Sequence, residues 1–258
     1  MKRLIAPLAL SALIIASCQT NLKIATYTDD FVLPLSELRA QDSLSVNISA
    51  EYPIGKDNVS DLIRRGITDF LFGYGWETDD CVDSIAVYYR NALVDEYLAE
   101  YLPSVADTSD QRIMSWGFET DGHFLPDWGS YHRYENVFYE YRGGAHGQSG
   151  CVYFVFSKKT GELVEEQEFF KEGYEEPVSA LIRQHLLSDY IPQLKADGFD
   201  VDELEQGFAE PTGAWVNGVY LPGPKGVQWT FQPYEIAPYA FGIISVEVPW
   251  KELKDWVR

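Results

Sequence analysis

The sequence predicts an α+β fold of two small sub-domains, with largely antiparallel sheets packed against helices. Apolar residues alternate over several short segments, as in half-buried strands, and recur at helical spacing over others. Strands and helices occur in groups, without the strict alternation that is typical of a parallel α/β fold. The 258 residues, 46% of them hydrophobic, are enough for two cores.

The first predicted elements are a strand and a helix. Residues 44–52 alternate between apolar and polar side chains, and Pro53 ends this strand. Apolar residues recur at helical spacing over residues 59–71. Asp57 is a candidate N-cap of this helix, and Gly73 ends it.

The next elements complete a β-α-α-β-β order. A second helix follows Asp83 and ends before Pro103. Alternating residues predict strands over 114–118 and 137–141, with a loop over 121–129 between them.

A glycine-rich run over residues 142–150 separates this unit from the C-terminal half. It places an N-terminal α+β domain at residues 42–145 and a C-terminal α+β domain at residues 146–258. In the second half, Pro177 can start a helix, because its missing N–H costs nothing in the first turn. The remaining predicted elements are strands over 152–156, 215–221, 227–231 and 244–248, and a short closing helix over 251–258.

The N-terminus predicts export. Lys2 and Arg3 precede an apolar run over residues 4–15, which is typical of a secretory signal peptide, here residues 1–17. The run covers about 18 Å, short of the ~30 Å hydrocarbon core of a bilayer. Residues 18–41 show little periodicity and are predicted to be a tether.

The small residues before Cys18 resemble the lipobox of bacterial lipoproteins. This resemblance implies that Cys18 is lipidated, becomes the first mature residue and anchors the chain to a lipid bilayer. Gln19 resembles the residue found in lipoproteins sent to an outer membrane, so we expect a periplasm-facing location. The alternative is an ordinary signal peptide with an incidental cysteine.

The charge limits the class of partner. The chain has 20 Lys and Arg against 40 Asp and Glu, a net charge of −20. Residues 1–17 hold two basic and no acidic residues, so the mature chain has 18 basic and 40 acidic residues, a net −22. Nucleic acid is an unfavourable partner for this charge, because its binding needs clustered Lys and Arg. An acidic surface favours a cationic partner or serves solubility alone.

Two cysteines, Cys81 and Cys151, remain after Cys18. In an oxidising compartment they could form a disulfide, closing a loop of about 70 residues and contributing ~4 kcal/mol. They could equally be two separate thiols.

The sequence predicts no catalytic constellation, metal site or cofactor. No two of the four histidines stand at i and i+4, so a zincin-type helix motif is absent. The HGQSG segment at residues 146–150 lacks the G-x-S-x-G pattern of a nucleophile elbow. We interpret His185 as a core histidine, and the acidic pairs at 79–80, 165–166 and 175–176 as solvated turns.

Two unusual segments hold the candidate ligand-binding residues. The prolines of residues 233–240 oppose helix and strand and imply an ordered loop. The glycine-rich run lets the backbone approach a ligand, although a tight crossover needs the same glycines. The candidates are Gly143, Gly144, His146, Tyr234, Glu235 and Tyr239.

The same segments carry a family resemblance. YRGGAHG at residues 141–147, KTG at 159–161, WTFQPYEIAPYAFG at 229–242 and VEVP at 246–249 resemble the extracytoplasmic module of RsiV-type anti-sigma factors and PdaC-type peptidoglycan deacetylases. That module consists of a domain of unknown function 3298 preceded by a domain resembling the domain of unknown function 4163. The likeness covers most of residues 42–258 and is strongest from Arg142 onward.

The resemblance implies a two-part α+β module that binds lysozyme in its anti-sigma members. No segment of this sequence is predicted to be the transmembrane helix or the anti-sigma segment of those members, or the catalytic domain of the deacetylases. We therefore expect a lipid-anchored envelope module without catalysis, which recognises a lysozyme-like cationic protein or a cell-wall glycan. The alternatives are a carboxylate-dependent glycan-processing enzyme that uses Glu235, and a purely structural envelope lipoprotein.

Overall fold

A computed structural model describes residues 22–33, 42–73, 81–107, 113–213 and 215–258. Within these ranges the protein has one five-stranded and one three-stranded sheet, both packed with helices. This confirms the predicted α+β class. The predicted signal peptide, Cys18 and part of the predicted tether lie outside the described residues. No helix in the described ranges is long and apolar enough to cross a membrane.

The larger sheet is mixed. It consists, in order, of β1 (Ile24–Val32), β2 (Ser43–Pro53), β3 (Ser115–Trp128), β4 (Tyr131–Tyr141) and β5 (Gln148–Ser157). Strands β2 and β3 are parallel, and the other neighbouring pairs are antiparallel. The parallel pair needs a long crossover, which helices α1 (Asn58–Phe72) and α2 (Val82–Ala106) provide.

Alternation along β2 divides the sheet into two faces. Leu44, Val46 and Ile48 are buried in a core with apolar residues of α2. The intervening side chains point to the opposite face, where the paired residues of β3 include the exposed Glu119 and Asp121. One face therefore holds the core, and the other is acidic.

Helix α1 begins as the sequence predicts. The Asp57 side chain accepts a hydrogen bond from the Ser60 amide, and Gly73 follows the last turn. Helix α2 continues past its predicted end and contains Pro103.

The prediction of a tether over residues 18–41 is wrong for residues 24–32. They form β1, which pairs with β2 from Ile24 opposite Pro53 to Val32 opposite Ser45. The alternation of apolar and polar residues is weak here, because β1 is an edge strand that buries only Ala25 and Tyr27.

The prediction of a loop over residues 121–129 is also wrong, since β3 continues to Trp128. A glycine within a strand usually weakens it, but Gly122 is required here. A Cβ atom on Gly122 would lie 2.2 Å from the hydroxyl oxygen of Tyr134.

The glycine-rich run joins two strands of one sheet. Glu140 of β4 pairs with Gln148 of β5, and Gly143 and Gly144 adopt φ values of 90° and 96° in the connecting loop. The predicted boundary between residues 145 and 146 therefore falls inside a hairpin, and β5 belongs to the first sheet. A glycine cluster marks both hairpins and linkers, so sequence alone does not separate them.

The C-terminal part contains β6 (Tyr220–Pro222), β7 (Gly226–Phe231) and β8 (Ile244–Pro249) in one antiparallel sheet. The strand predicted over 215–221 forms only at its end. The helices are α3 (Glu166–Phe169), α4 (Glu175–His185), α5 (Ile191–Ala196), α6 (Asp202–Ala209) and α7 (Trp250–Leu253). Pro177 lies in the first turn of α4, as predicted. A turn of π-helix, Leu186–Tyr190, joins α4 to α5.

The two cysteines are not paired in this structure. Cys81 is exposed at the start of α2, whereas Cys151 is buried within β5. Burial raises the pKa of the Cys151 thiol to about 11. This thiol is therefore protonated near neutral pH.

Polar contacts join the C-terminal part to the larger sheet. The Gln232 amide accepts a hydrogen bond from the Cys151 N–H at 2.9 Å and donates one to the Cys151 carbonyl at 2.7 Å. The buried Arg133 donates to the Pro222 carbonyl at 3.0 Å. Trp128 also stacks on Trp250, with ring centroids 4.9 Å apart.

We expect Gln232→Met to destabilise the protein by about 1–3 kcal/mol, because it leaves two backbone groups of β5 without partners. Urea unfolding measures this change. Gln206→Met is the matched control, since Gln206 is exposed on α6. Equal stability of the two variants would show that the amide contact contributes nothing.

His185 connects α4 to α7, which supports its interpretation as a core histidine. Its ring nitrogens lie 2.7 Å from Asp189 and 3.1 Å from Glu252. Burial opposes protonation, but the hydrogen bonds to the two carboxylates outweigh it and raise the pKa of His185 above 6.5.

A raised pKa means that folded protein binds the proton more tightly than unfolded protein. The contribution of His185 to stability is therefore complete below its unfolded pKa of 6.5 and is lost as pH rises through the folded pKa. We expect His185→Gln to cost about 0.5–1 kcal/mol more near pH 5.5 than near pH 8.5. Denaturant unfolding at the two pH values measures this, and an equal cost at both would contradict it.

Candidate functional site

The structure brings three of the six candidate residues together. His146, from the β4–β5 hairpin, stacks on Tyr239, with ring centroids 4.0 Å apart. Its Nε2 atom lies 3.1 Å from the Tyr234 hydroxyl, and the two tyrosine rings are 5.5 Å apart. We call His146, Tyr234 and Tyr239 the aromatic cluster. His146 and Tyr234 are exposed, so the cluster presents ring surface to solvent.

Gly147 holds the hairpin side of the cluster. Its carbonyl accepts a hydrogen bond from the Tyr239 hydroxyl at 3.0 Å and lies 2.9 Å from His146 Nδ1. Because a carbonyl only accepts, Nδ1 carries the proton in the neutral ring and Nε2 accepts from Tyr234. A Cβ atom on Gly147 would lie 2.4 Å from the Tyr139 ring, so a larger residue here would require that ring to move.

Gly143 and Gly144 shape the hairpin itself. Both have positive φ values, and the Gly144 carbonyl accepts a hydrogen bond from the Tyr141 hydroxyl at 3.0 Å. No contact in the described structure joins these glycines to the aromatic cluster. Their role here is to turn the chain.

Glu235 holds the loop of residues 233–240 in place through two hydrogen bonds. One carboxylate oxygen accepts from Asn217 Nδ2 at 2.7 Å, and the other accepts from the Gln232 N–H at 2.8 Å. This arrangement supports the structural interpretation of Glu235, because both of its oxygens are engaged within the protein.

Tyr234 is the one non-glycine residue with a positive φ, 71°, in the described structure. A Cβ atom is strained in this region, at a cost of about 1 kcal/mol or more. Tyr234 is also 62% exposed, so burial of its ring does not account for a tyrosine here.

An acidic groove lies beside the aromatic cluster, on the exposed face of the larger sheet. Its volume is about 590 Å³, and it crosses all five strands. Its lining includes the carboxylates Asp30, Glu119 and Asp121 but no Lys or Arg, together with the side chains of Val137 and Tyr139. We call this surface the acidic groove.

Tyr139 connects the two features. It lines the acidic groove, and its ring packs against Gly147, whose carbonyl binds Tyr239. Tyr139 therefore links the acidic groove to the hairpin that carries His146. No residue beyond 149 lines the groove, whereas two of the three rings of the aromatic cluster, Tyr234 and Tyr239, come from the C-terminal part.

Sequence reasoning missed Glu166, which it placed on a solvated turn. Glu166 is 6% exposed and accepts hydrogen bonds from the Trp229 indole at 2.6 Å and the Gly218 N–H at 2.7 Å. Burial raises the pKa of its carboxyl group. The hydrogen-bond partner of Glu166, Trp229, is 63 residues away in the sequence, so no local pattern indicates that Glu166 is buried.

Within the described residues, no group of three His, Cys, Asp or Glu side chains is placed to hold a metal ion. The acidic groove and the aromatic cluster present carboxylates and aromatic rings at the protein surface.

We expect Tyr234→Gly to be about 1 kcal/mol more stable than Tyr234→Ala, because both lack the ring and only alanine keeps the strained Cβ. Thermal or urea unfolding of the two variants measures the difference. Equal stability would show that the backbone at residue 234 is not strained.

Comparisons with known proteins agree with this fold. Residues 167–251 match the family described as "Protein of unknown function (DUF3298)". A DUF3298 family member from Bacteroides fragilis has a similar structure, with a TM-score of 0.78, 17% identity and coverage of 92% of this chain and 94% of that chain. A DUF3298 family protein from Pseudomonas aeruginosa gives a TM-score of 0.57, 15% identity and coverage of 93% and 96%. No curated protein matches the sequence.

Proposed function

We propose that this chain, which carries a DUF3298 domain over residues 167–251, is a non-catalytic cell-envelope module that binds a lysozyme-like cationic protein. The acidic groove is the observation that carries this proposal. Three carboxylates and no basic residue line it, so it can receive Lys and Arg side chains of a partner.

The net charge of −20 supports the same partner class. An acidic protein attracts a cationic one over distances of about a Debye length, which raises the association rate and makes binding depend on salt. Because charge alone gives little specificity, the aromatic cluster supplies the second part of the proposed surface. Exposed aromatic rings on a rigid backbone are typical of the residues that dominate binding energy.

Lipidation of Cys18 and a place on the outer membrane, facing the periplasm, belong to the same proposal. The lipobox-like sequence before Cys18 supports them. A lipid tether would hold the groove near the envelope, where a lysozyme-like protein attacks the cell wall.

The contacts of Glu235 do not favour the alternative of a glycan-processing enzyme. A general acid or base must reach the substrate, and both Glu235 oxygens are bound to Asn217 and Gln232. A cell-wall glycan remains an alternative ligand, because sugar rings also stack on exposed tyrosines. A purely structural lipoprotein would bind neither partner.

The test is calorimetric titration of residues 18–258 with a c-type lysozyme at low and physiological salt. We expect Glu119→Gln with Asp121→Asn to weaken binding by about tenfold or more, since two carboxylates leave the groove. Glu172→Gln with Glu203→Gln makes the same charge change at exposed positions outside the groove and is the matched control.

Cytochrome c, a basic protein of similar size, separates recognition from charge attraction. Equal affinity for both proteins, or equal weakening by the two double variants, would contradict a specific site in the groove. Absence of heat with lysozyme, together with heat on titration with peptidoglycan fragments, would favour the glycan alternative.

A further inference from the structure

A second cavity lies on the other face of the larger sheet, away from the acidic groove. Its volume is about 320 Å³, which is at the lower end of small-molecule sites. It opens between the start of α1 and the turn that joins β3 to β4. Both polar and apolar residues line it: Leu22, Asp57, Val59, Ser60, Asp127, His132 and Lys158.

The central group of this cavity is a buried histidine with one free nitrogen. His132 is 3% exposed, and its Nδ1 atom lies 2.9 Å from Asp127 Oδ1. Because a carboxylate only accepts, Nδ1 of the neutral ring carries the proton and Nε2 has a lone pair. Nε2 has no hydrogen-bond partner among the described residues and is therefore free to accept from a ligand.

Lys158 supplies a hydrogen-bond donor in the same cavity as His132. Its ammonium group lies 2.9 Å from Asp127 Oδ2 and 3.0 Å from the Gly129 carbonyl. These two contacts use two of its three N–H bonds, so one remains for a ligand. Asp127 thus orients the histidine acceptor and the lysine donor at the same time.

The two carboxylates that line the cavity, Asp57 and Asp127, disfavour an anionic ligand. Asp57 forms no ion pair within the described residues, and hydrogen bonds from Ser60 lower the pKa of its carboxyl group. Asp127 already balances Lys158. A further negative charge would therefore meet an uncompensated carboxylate at the cavity rim.

We propose that this cavity binds a small neutral polyol, of monosaccharide size. A hydroxyl group both donates and accepts, so neighbouring hydroxyls of one ligand can donate to His132 Nε2 and accept from Lys158. The C–H face of a sugar ring suits the apolar side chains of Leu22 and Val59. This site is independent of the proposed groove and would exist even if no protein bound there.

The test follows the four imidazole rings by long-range ¹H–¹⁵N NMR on residues 18–258, with His132 assigned through the spectrum of His132→Gln. The probes are D-glucose, N-acetyl-D-glucosamine and xylitol, each added to on the order of 100 mM. We expect at least one probe to shift His132 Nε2 with saturation, and to leave His146 unchanged.

Lys158→Met removes the donor but keeps most of the aliphatic side chain, and it should weaken binding about tenfold. Lys159→Met is the matched control, because Lys159 is exposed and does not line the cavity. A His132 signal that stays constant with all three probes would overturn the proposal. So would a shift that does not saturate, or one that Lys158→Met leaves unchanged.

Discussion

The pairing of the Gln232 amide with the backbone of Cys151 joins the two halves of this structure. Strand β5 is the last strand of its sheet, so its outward N–H and C=O groups need partners from elsewhere. Gln232 satisfies both groups of Cys151, as a neighbouring strand would. Since Gln232 directly follows β7, this contact fixes the smaller sheet against the edge of the larger one.

The same contact sets the geometry of the aromatic cluster. Tyr234 follows Gln232 by two residues, and His146 precedes β5 by two residues. The two loops meet because their adjoining strands are held together, and Glu235 then fixes the second loop through the Gln232 N–H. The aromatic cluster is thus a consequence of how the two sheets join, and no separate helix or strand is needed to form it.

Sequence predicted well what depends on local chemistry. The capping of α1 by Asp57 and the start of α4 at Pro177 follow from bonds within one turn. The six candidate residues were found from unusual backbone chemistry, and three of them meet. Prediction failed where the partner is distant: β1 looks like a tether because its apolar contacts come from one end of an edge strand. The glycine hairpin looks like a boundary because pairing of β4 with β5 leaves no local trace.

The burial of a carboxylate is also hard to predict from sequence, because it depends on partners that are distant in the chain. Glu165 and Glu166 are adjacent and chemically identical, yet Glu166 lies within hydrogen-bond reach of Trp229, 63 residues away, whereas Glu165 caps a short helix. Only the packing of α3 against β7 distinguishes them. Acidic residues are frequent in this chain, so a pair of them carries little information about burial.

The backbone at Tyr234 gives a physical reason to assign the aromatic cluster to binding. A positive φ at a tyrosine costs free energy, and a residue that is 62% exposed recovers little of it by burial. Glycine would satisfy the turn with less strain. The ring instead stands beside His146 and Tyr239, with its hydroxyl 3.1 Å from His146 Nε2, and stays open to solvent, as the proposed role of the aromatic cluster in binding requires.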